Sequence, residues 1–391
     1  MLEFYTAGES HGKGLAGIIQ GIPAGLAVSG EDINGELKRR QKGYGRGGRM
    51  KIESDRAEII SGIRWGRTIG SPISIFIQNR DWKNWEKAMS SGAEDEGSIQ
   101  PVTRPRPGHA DLPGALKFAQ PDIRNILERS SARETAMRVA LGAVAKKFLL
   151  EFGISIGSYV FQIGKAKMKQ PSGRISAEQL LDLLKRAEES QVSCPDEETA
   201  DRMKEQIDRA MEAGDSMGGR FTVFAVGAPV GLGSHTQWDR RLDGRLAQAL
   251  MSVQAIKAVE AGGGIELASK PGSQVMDEIF YGKDAGFFRK TDRMGGIEGG
   301  MTNGMPILLH AAMKPIPTLR KPLASVDMKT KEPFEAAYER SDVCAVPAAA
   351  VVAEAMTALI IAGAFLEKFG GDSITETGRN YDGYKQYLRG F

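Results

Sequence analysis

A mixed helix-and-strand fold is what this sequence predicts, and three observations predict it. Strand-like and helix-like segments alternate irregularly, without the regular βαβ rhythm of a doubly wound parallel sheet. A length of 391 residues is too great for one small core, leaving two lobes or one large intertwined domain. Apolar residues at 41% and charged residues at 26% are ordinary for a globular chain and exclude a disordered one.

Taken in order, Leu15 to Gln20 and Ile73 to Gln78 are short, β-branched and bounded by glycine or proline, which predicts strands. Ser131-Ala132-Arg133-Glu134 has capping-box spacing ahead of an apolar-periodic run, predicting a helix to Phe152 with Gly153 as its stop. Ile154 to Ile163 reads as a strand. Two polar amphipathic helices follow, one from the capping box Ser176 to Gln179 and one after Pro195 ending near Gly214; the region from about 165 to 217 reads as a peripheral helical excursion. Arg220 to Val230 reads as a strand, and Leu242 to Glu260 as a long helix stopped by Gly262-Gly263-Gly264. Pro347 to Leu366 is alanine-rich and interrupted by Glu354, so it reads as a helix packed on several sides rather than a membrane span, which needs about 20 uninterrupted apolar residues.

The 52 basic and 49 acidic residues leave a net charge of +3, too balanced for a protein that coats nucleic acid or a membrane through its bulk field. Any anion recognition must be local. Cys194 and Cys344 stand far apart, with no CxxC and no histidine pair to suggest zinc, so no metal is expected and a reduced cytoplasm fits. The opening residues show no basic segment ahead of an apolar run, which agrees with a cytoplasmic location. Glycine, with 48 residues or about 12% where about 7% is usual, is the outlying number.

Several glycine-framed segments carry chemistry. Gly8-Glu9-Ser10-His11-Gly12 matches the hydrolase string G-x-S-x-G, but that serine needs a strand-to-helix elbow and here a strand follows. Gly43-Tyr44-Gly45-Arg46-Gly47-Gly48 matches G-x-G-x-x-G, yet the polar run Glu36 to Lys42 precedes it, not the strand a dinucleotide fingerprint requires. With Arg39, Arg40, Arg46 and Arg49 it reads either as a solvated loop or as a local polyanion cradle of backbone amides and guanidinium forks. Arg104 to Asp111 places Arg106 and His109 on a stiff Pro-Gly turn, with Asp111 close enough to fix the imidazole tautomer. Arg129, Ser130, Ser131 and Arg133 set hydroxyls and guanidinium groups at a helix N-terminus, where amides and dipole favour an anion. Gly295 to Gly304 reads as a long hairpin loop or a backbone that approaches a ligand closely. Lys314 to Thr318 offers a cation and a hydroxyl on a rigid segment, and Arg340-Ser341-Asp342 sets a carboxylate beside a guanidinium.

Five of these strings, Gly8 to Gly12, Arg106 to Asp111, Arg129 to Ala136, Gly295 to Ile297 and Arg340 to Asp342, resemble in sequence and order the signatures of the chorismate synthase family. The resemblance spans nearly the whole chain. It implies an α+β fold, a β-α-β sandwich with helices between antiparallel sheets in a single large intertwined catalytic domain. It implies an enzyme, a lyase that converts 5-enolpyruvylshikimate 3-phosphate to chorismate by 1,4-anti elimination of phosphate, with reduced FMN and no net redox change.

Site residues follow from the same resemblance. His11 would protonate the departing phosphate, His109 would act as an acid toward the reduced flavin, and Asp342 would assist the flavin nitrogen that takes the substrate proton. The substrate's two carboxylates and phosphate require several fixed cations, for which Arg40, Arg46, Arg49, Arg106, Arg133 and Arg340 are the candidates. FMN would be held by Arg129, Ser130, Ser131, Gln254, Ala255, Gly299, Lys314, Pro315, Ile316, Pro317, Thr318 and Arg340. The family likeness further implies a homotetramer; some members reduce their own flavin with NADPH and others draw on an external flavin reductase, and the absence of a dedicated reductase insertion in this compact chain favours the external reductase. A flavin-independent phosphate lyase or transferase and an RNA-binding Arg-Gly module are the rival readings.

Overall fold

A computed structural model describes residues 2–46, 55–171, 173–283, 286–336 and 342–391. The first sheet holds β1 (Glu3–Ala7), β2 (Gly14–Gln20), β3 (Ala57–Ser61) and β4 (Ile73–Gln78), all antiparallel, in the order β1-β2-β4-β3. Its period-two pattern explains its one-sided burial. Leu15 and Ile19 of β2 and Ile73, Ile75 and Ile77 of β4 are buried, while Tyr5, Ile18 and Ile60 face outward. Between β2 and β3 lies α1 (Gly30–Gln41), opened by a complete capping box in which Ser29 Oγ accepts from Asp32 N and Asp32 accepts from Ser29 N.

Two short helices, α2 (Asp111–Phe118) and α3 (Arg124–Ser130), lead into the long α4 (Thr135–Glu151). The capping box expected at Ser131 does not form. Ser131 Oγ accepts from Arg133 N and a 3₁₀ turn occupies 132–134, because the Glu134 carboxylate is taken by Arg138 and Gln254 instead of returning to the cap. The second box is complete: Ser176 and Gln179 satisfy each other at the start of α5 (Ala177–Glu189). Helix α6 (Glu197–Glu212) follows, capped by Asp196.

The second sheet contains β5 (Ser155–Ile163), β6 (Ala166–Lys167), β7 (Gly219–Val226), β8 (Ile256–Ala261) and β13 (Ile307–Met313), antiparallel in the order β8-β13-β7-β5-β6. Strand β5 is buried along nearly its whole length because the helix over Val346–Phe369 covers one face and α5 and α6 pack on the strand from elsewhere. The long helix expected over 242–260 is instead α7 (Leu242–Met251) followed by β8. The helix stops at Met251, Ala255 takes a left-handed φ of +66° just ahead of the strand, and the ladder from Ile256 and Ala258 to Ala261 along β13 replaces the intrahelical bonds. Two small hairpins, β9 (Ile279–Gly282) with β10 (Gly286–Arg289) and β11 (Ile297–Glu298) with β12 (Met301–Thr302), lie between β8 and β13.

Helix α8 (Val346–Phe369) is long and apolar enough by composition to cross a membrane, yet it runs through the interior with most of its residues buried, Glu354 included. Helices α4 and α8 pack on each other, α4 against β2 and β4, α8 against β5 and β7. Gly142 of α4 permits that approach: a Cβ there would stand 2.6 Å from Ala355 Cα. The order sheet, helices, sheet is the β-α-β sandwich of the α+β class, and α9 (Ile374–Gly390) closes the chain on its outside.

Candidate active site

The turn between β1 and β2 carries Ser10 and His11, and α3 anchors it. Ser10 N donates to the Glu128 carbonyl at 3.0 Å, and His11 N donates to Glu128 Oε2 at 2.7 Å. His11 Nδ1 lies 2.9 Å and 3.0 Å from the two carboxylate oxygens of Glu128. The His11 ring lies over Trp85, centroids 4.1 Å apart. Burial alone would raise the Glu128 carboxyl, but the bonds from His11, with Arg124 beyond, hold it below the usual range. It is therefore an ionised acceptor.

Around the same turn each arginine is held by protein partners. Arg129 donates to the Gly8 and Thr6 carbonyls and to Thr6 Oγ1, at 3.1, 2.7 and 2.8 Å. Arg133 forks onto Asn79 Oδ1 at 3.2 and 3.0 Å and pairs with Asp55, while Asn79 Nδ2 reaches the carbonyls of Glu9 and Gly12. Arg40, at the end of α1, donates to Thr135 Oγ1 and the Ala132 carbonyl and lies 3.8 Å from Asp55 Oδ2. Ser131 Oγ donates to Ser10 Oγ at 3.2 Å, whereas Ser130 Oγ bonds back to Leu127 within its helix. His11, Ser10, Ser131, Arg129, Arg133 and Arg40 thus belong to one connected network.

His109 forms a second pair. Its Nδ1 lies 2.6 Å from Asp111 Oδ1, and Arg106 binds the same carboxylate through Nε at 2.8 Å and Nη2 at 3.1 Å. Burial would raise Asp111, but the bonds from His109 and Arg106 outweigh it and hold the carboxyl far below the usual range. Asp111 opens α2, and α2 packs on α3 where Gly114 meets Ile126, so one helical pair carries the carboxylate partners of both histidines.

Lys314 to Thr318 follows β13. Lys314 N donates to the Ala255 carbonyl at 2.9 Å, and a Cβ on Gly108 would lie 3.8 Å from Lys314 Nζ and 3.9 Å from Pro317, so this segment borders the His109 turn. Burial and then the neighbouring Lys257 charge lower the Lys314 ammonium, the surroundings in which an anion is favoured. The Ile316 carbonyl accepts from Ser216 Oγ at 2.7 Å. Gln254 Nε2 donates to Glu134 Oε1 at 2.7 Å, and its Oε1 is buried without a donor among the described residues.

Asp342 pairs with Arg46 at 3.1 Å, and a hydrogen bond from Val343 N to the Gly45 carbonyl at 2.8 Å joins those segments. Arg49 and Arg340 lie outside the described residues. Gly299 (φ +58°) forms the turn between β11 and β12, and the hydrogen bonds flanking it run to α7 and to 229–232 rather than to either histidine.

Sequence reasoning missed Glu128, Trp85, Arg124, Asn79 and Asp55. Glu128 stands 117 residues from His11, and no local pattern links them. Its position one residue before the Arg129-Ser130-Ser131 string was the one available signal.

Two antiparallel sheets enclosing packed helices, with histidine–carboxylate pairs tied into arginine clusters, define the class: an α+β sandwich enzyme. The chain belongs to the chorismate synthase family. A family model described as chorismate synthase matches residues 2–366. Chorismate synthase of Geobacter metallireducens is 59% identical, covering all of both chains, and that of Aquifex aeolicus is 57% identical over all of this chain and 99% of its own. A solved structure titled as the crystal structure of chorismate synthase superposes with a TM-score of 0.82 at 47% identity, covering 100% of this chain and 99% of that one.

Proposed function

We propose that this protein acts on 5-enolpyruvylshikimate 3-phosphate as a carbon–oxygen lyase, releasing phosphate by 1,4-anti elimination and yielding chorismate, in the shikimate route to aromatic amino acids. One C–H and one C–OPO₃ bond break, a second ring double bond forms, and no net oxidation occurs. The observation that carries the reading is the pairing of His11 and His109 with buried carboxylates beside arginine clusters, in a chain whose full-length relatives are chorismate synthases.

The Oε1 of Gln254, buried without a donor among the described residues, and the cations Lys314 and Lys257 fit a group that combines an N–H-bearing ring with a phosphate, as FMN does. Arg129, Ser130, Ser131, Gln254, Ala255, Gly299, Lys314 to Thr318 and Arg340 would hold it. Reduced FMN, when bound, would supply electron density transiently while the phosphate departs.

The chain's own residues do the rest. Arg40, Arg46, Arg49, Arg106, Arg133 and Arg340 bind and orient the carboxylates and phosphate, and their charge favours the developing phosphate anion. His11 moves a proton from Nε2 to the departing phosphate, because Nδ1 is committed to Glu128. His109, with Nδ1 on Asp111, holds a proton at Nε2 toward the cofactor. Asp342, paired with Arg46, would assist the cofactor nitrogen that takes the substrate proton. In this reading the enzyme is a cytoplasmic homotetramer that takes reduced flavin from an external reductase, spans no membrane and binds no nucleic acid.

The test is anaerobic. Protein mixed with 5-enolpyruvylshikimate 3-phosphate and photoreduced FMN should release phosphate and chorismate together, and oxidised FMN should give neither. Phosphate release without reduced flavin would replace the proposal with a flavin-independent lyase or transferase.

A further inference from the structure

We propose that Glu128, Trp85 and Arg124 form a three-sided clamp that fixes the tautomer and ring orientation of His11, making them positioning residues for proton transfer. The inference rests on the reading above for what His11 does, but not for how it is held.

Glu128 grips His11 at two points, the backbone N–H at 2.7 Å and Nδ1 at 2.9 Å. A carboxylate is acceptor-only, so Nδ1 must be the donor and Nε2 the atom that exchanges a proton. The carboxylate cannot swing away, since its side chain is 1% exposed and Arg124 Nη1 reaches Oε1 at 3.5 Å from one turn earlier on α3. Two contacts on one edge would still let the ring tilt. Trp85 limits that motion by lying against its face, the two rings tilted 34° to each other, and the indole is itself fixed, donating from Nε1 to Asp81 Oδ2 at 3.0 Å. Arg124 closes the figure, its guanidinium 5.1 Å from the Trp85 ring centre. His109 has a simpler arrangement, in which its Nδ1 and the Arg106 guanidinium share the carboxylate of Asp111. The heavier restraint falls on His11.

The test reads His11 directly. In protein labelled with ¹⁵N in its four histidine rings, with His11 assigned by loss of its signals in H11A, the resting wild type should show a single Nδ1–H tautomer. In Glu128→Gln the amide offers one acceptor for two donors, so the two tautomers should mix, and kcat should fall by about 10²-fold or more with KM within twofold. Trp85→Leu keeps the carboxylate and should lower kcat about tenfold without changing the tautomer, which guards against a Gln variant that fails to fold. An unchanged single tautomer in folded E128Q, or full kcat in both variants while H11A is inactive, would overturn the clamp. Tautomer mixing in a protein that makes no chorismate would uphold the clamp and reject the functional reading.

Discussion

Arg39 and Glu354 meet fork to fork across 315 residues, Nη1 at 2.7 Å from Oε2 and Nη2 at 2.8 Å from Oε1. The same carboxylate accepts Lys146 Nζ at 2.8 Å and Ser158 Oγ at 2.6 Å, so one fully buried side chain ties α1, α4, β5 and α8 together. This explains an acidic residue in the middle of an apolar helix. It also places the neighbouring Arg40, whose guanidinium joins the His11 network.

Replacing Glu354 with Ala should therefore cost about 3–5 kcal/mol, because Arg39 and Lys146 lose the charge that compensates their burial. Burial would raise this carboxyl, but Arg39 and Lys146 pull it well below the usual range. Its contribution is present above the unfolded value and lost as pH falls through the folded one. Urea unfolding of wild type and E354A at pH 7 measures the difference; equal midpoints would show that the cluster contributes nothing.

Asp292 behaves in the opposite sense. It is 8% exposed, its Oδ1 accepts from Gly296 N at 2.8 Å, and burial, aided by the Asp277 and Glu298 charges, pushes it up to about 7. Below about pH 4 both folded and unfolded forms are protonated; between there and about 7 the unfolded chain releases its proton first, so stability falls as pH rises. Asp292→Asn keeps the acceptor and removes the charge. It should raise Tm at pH 8, by a stability on the order of a few kcal/mol at about 1.4 per pH unit, and leave Tm at pH 4 nearly unchanged. An equal effect at both pH values would contradict the assignment.

Among the four histidines, the carboxylate-paired ones should be the sensitive ones. H11A and H109A should each lower anaerobic turnover by about 10² to 10⁴. H235A, at an exposed position, should stay within twofold. Full turnover in either of the first two would remove that residue from the proton path.

Much of the fold was legible because its periodicity is local. Ile73–Gln78 is a strand over the expected bounds, and the Ser176 box closes as its spacing implies. The misread elements are those that a distant partner decides. Leu242 to Glu260 has helical composition, but β13 draws its second half into a ladder, and Glu134 leaves its cap for Arg138 and Gln254. The site divides the same way. His109 and Asp111 lie two residues apart and could be paired from sequence, whereas Glu128, Asn79 and Asp55 reach their partners only through the folded chain.

The closeness of α4 and α8 at Gly142 has a bearing on how this protein can change over generations. Even the smallest side chain at 142 would press on the Ala355 backbone as well as its methyl, so shrinking residue 355 cannot make room. No single compensating substitution exists within the pair; the whole helix would have to retreat, carrying Glu354 away from Arg39. Position 142 thus admits no side chain while the two helices keep their separation, and that separation sets the spacing of the two sheets they lie between.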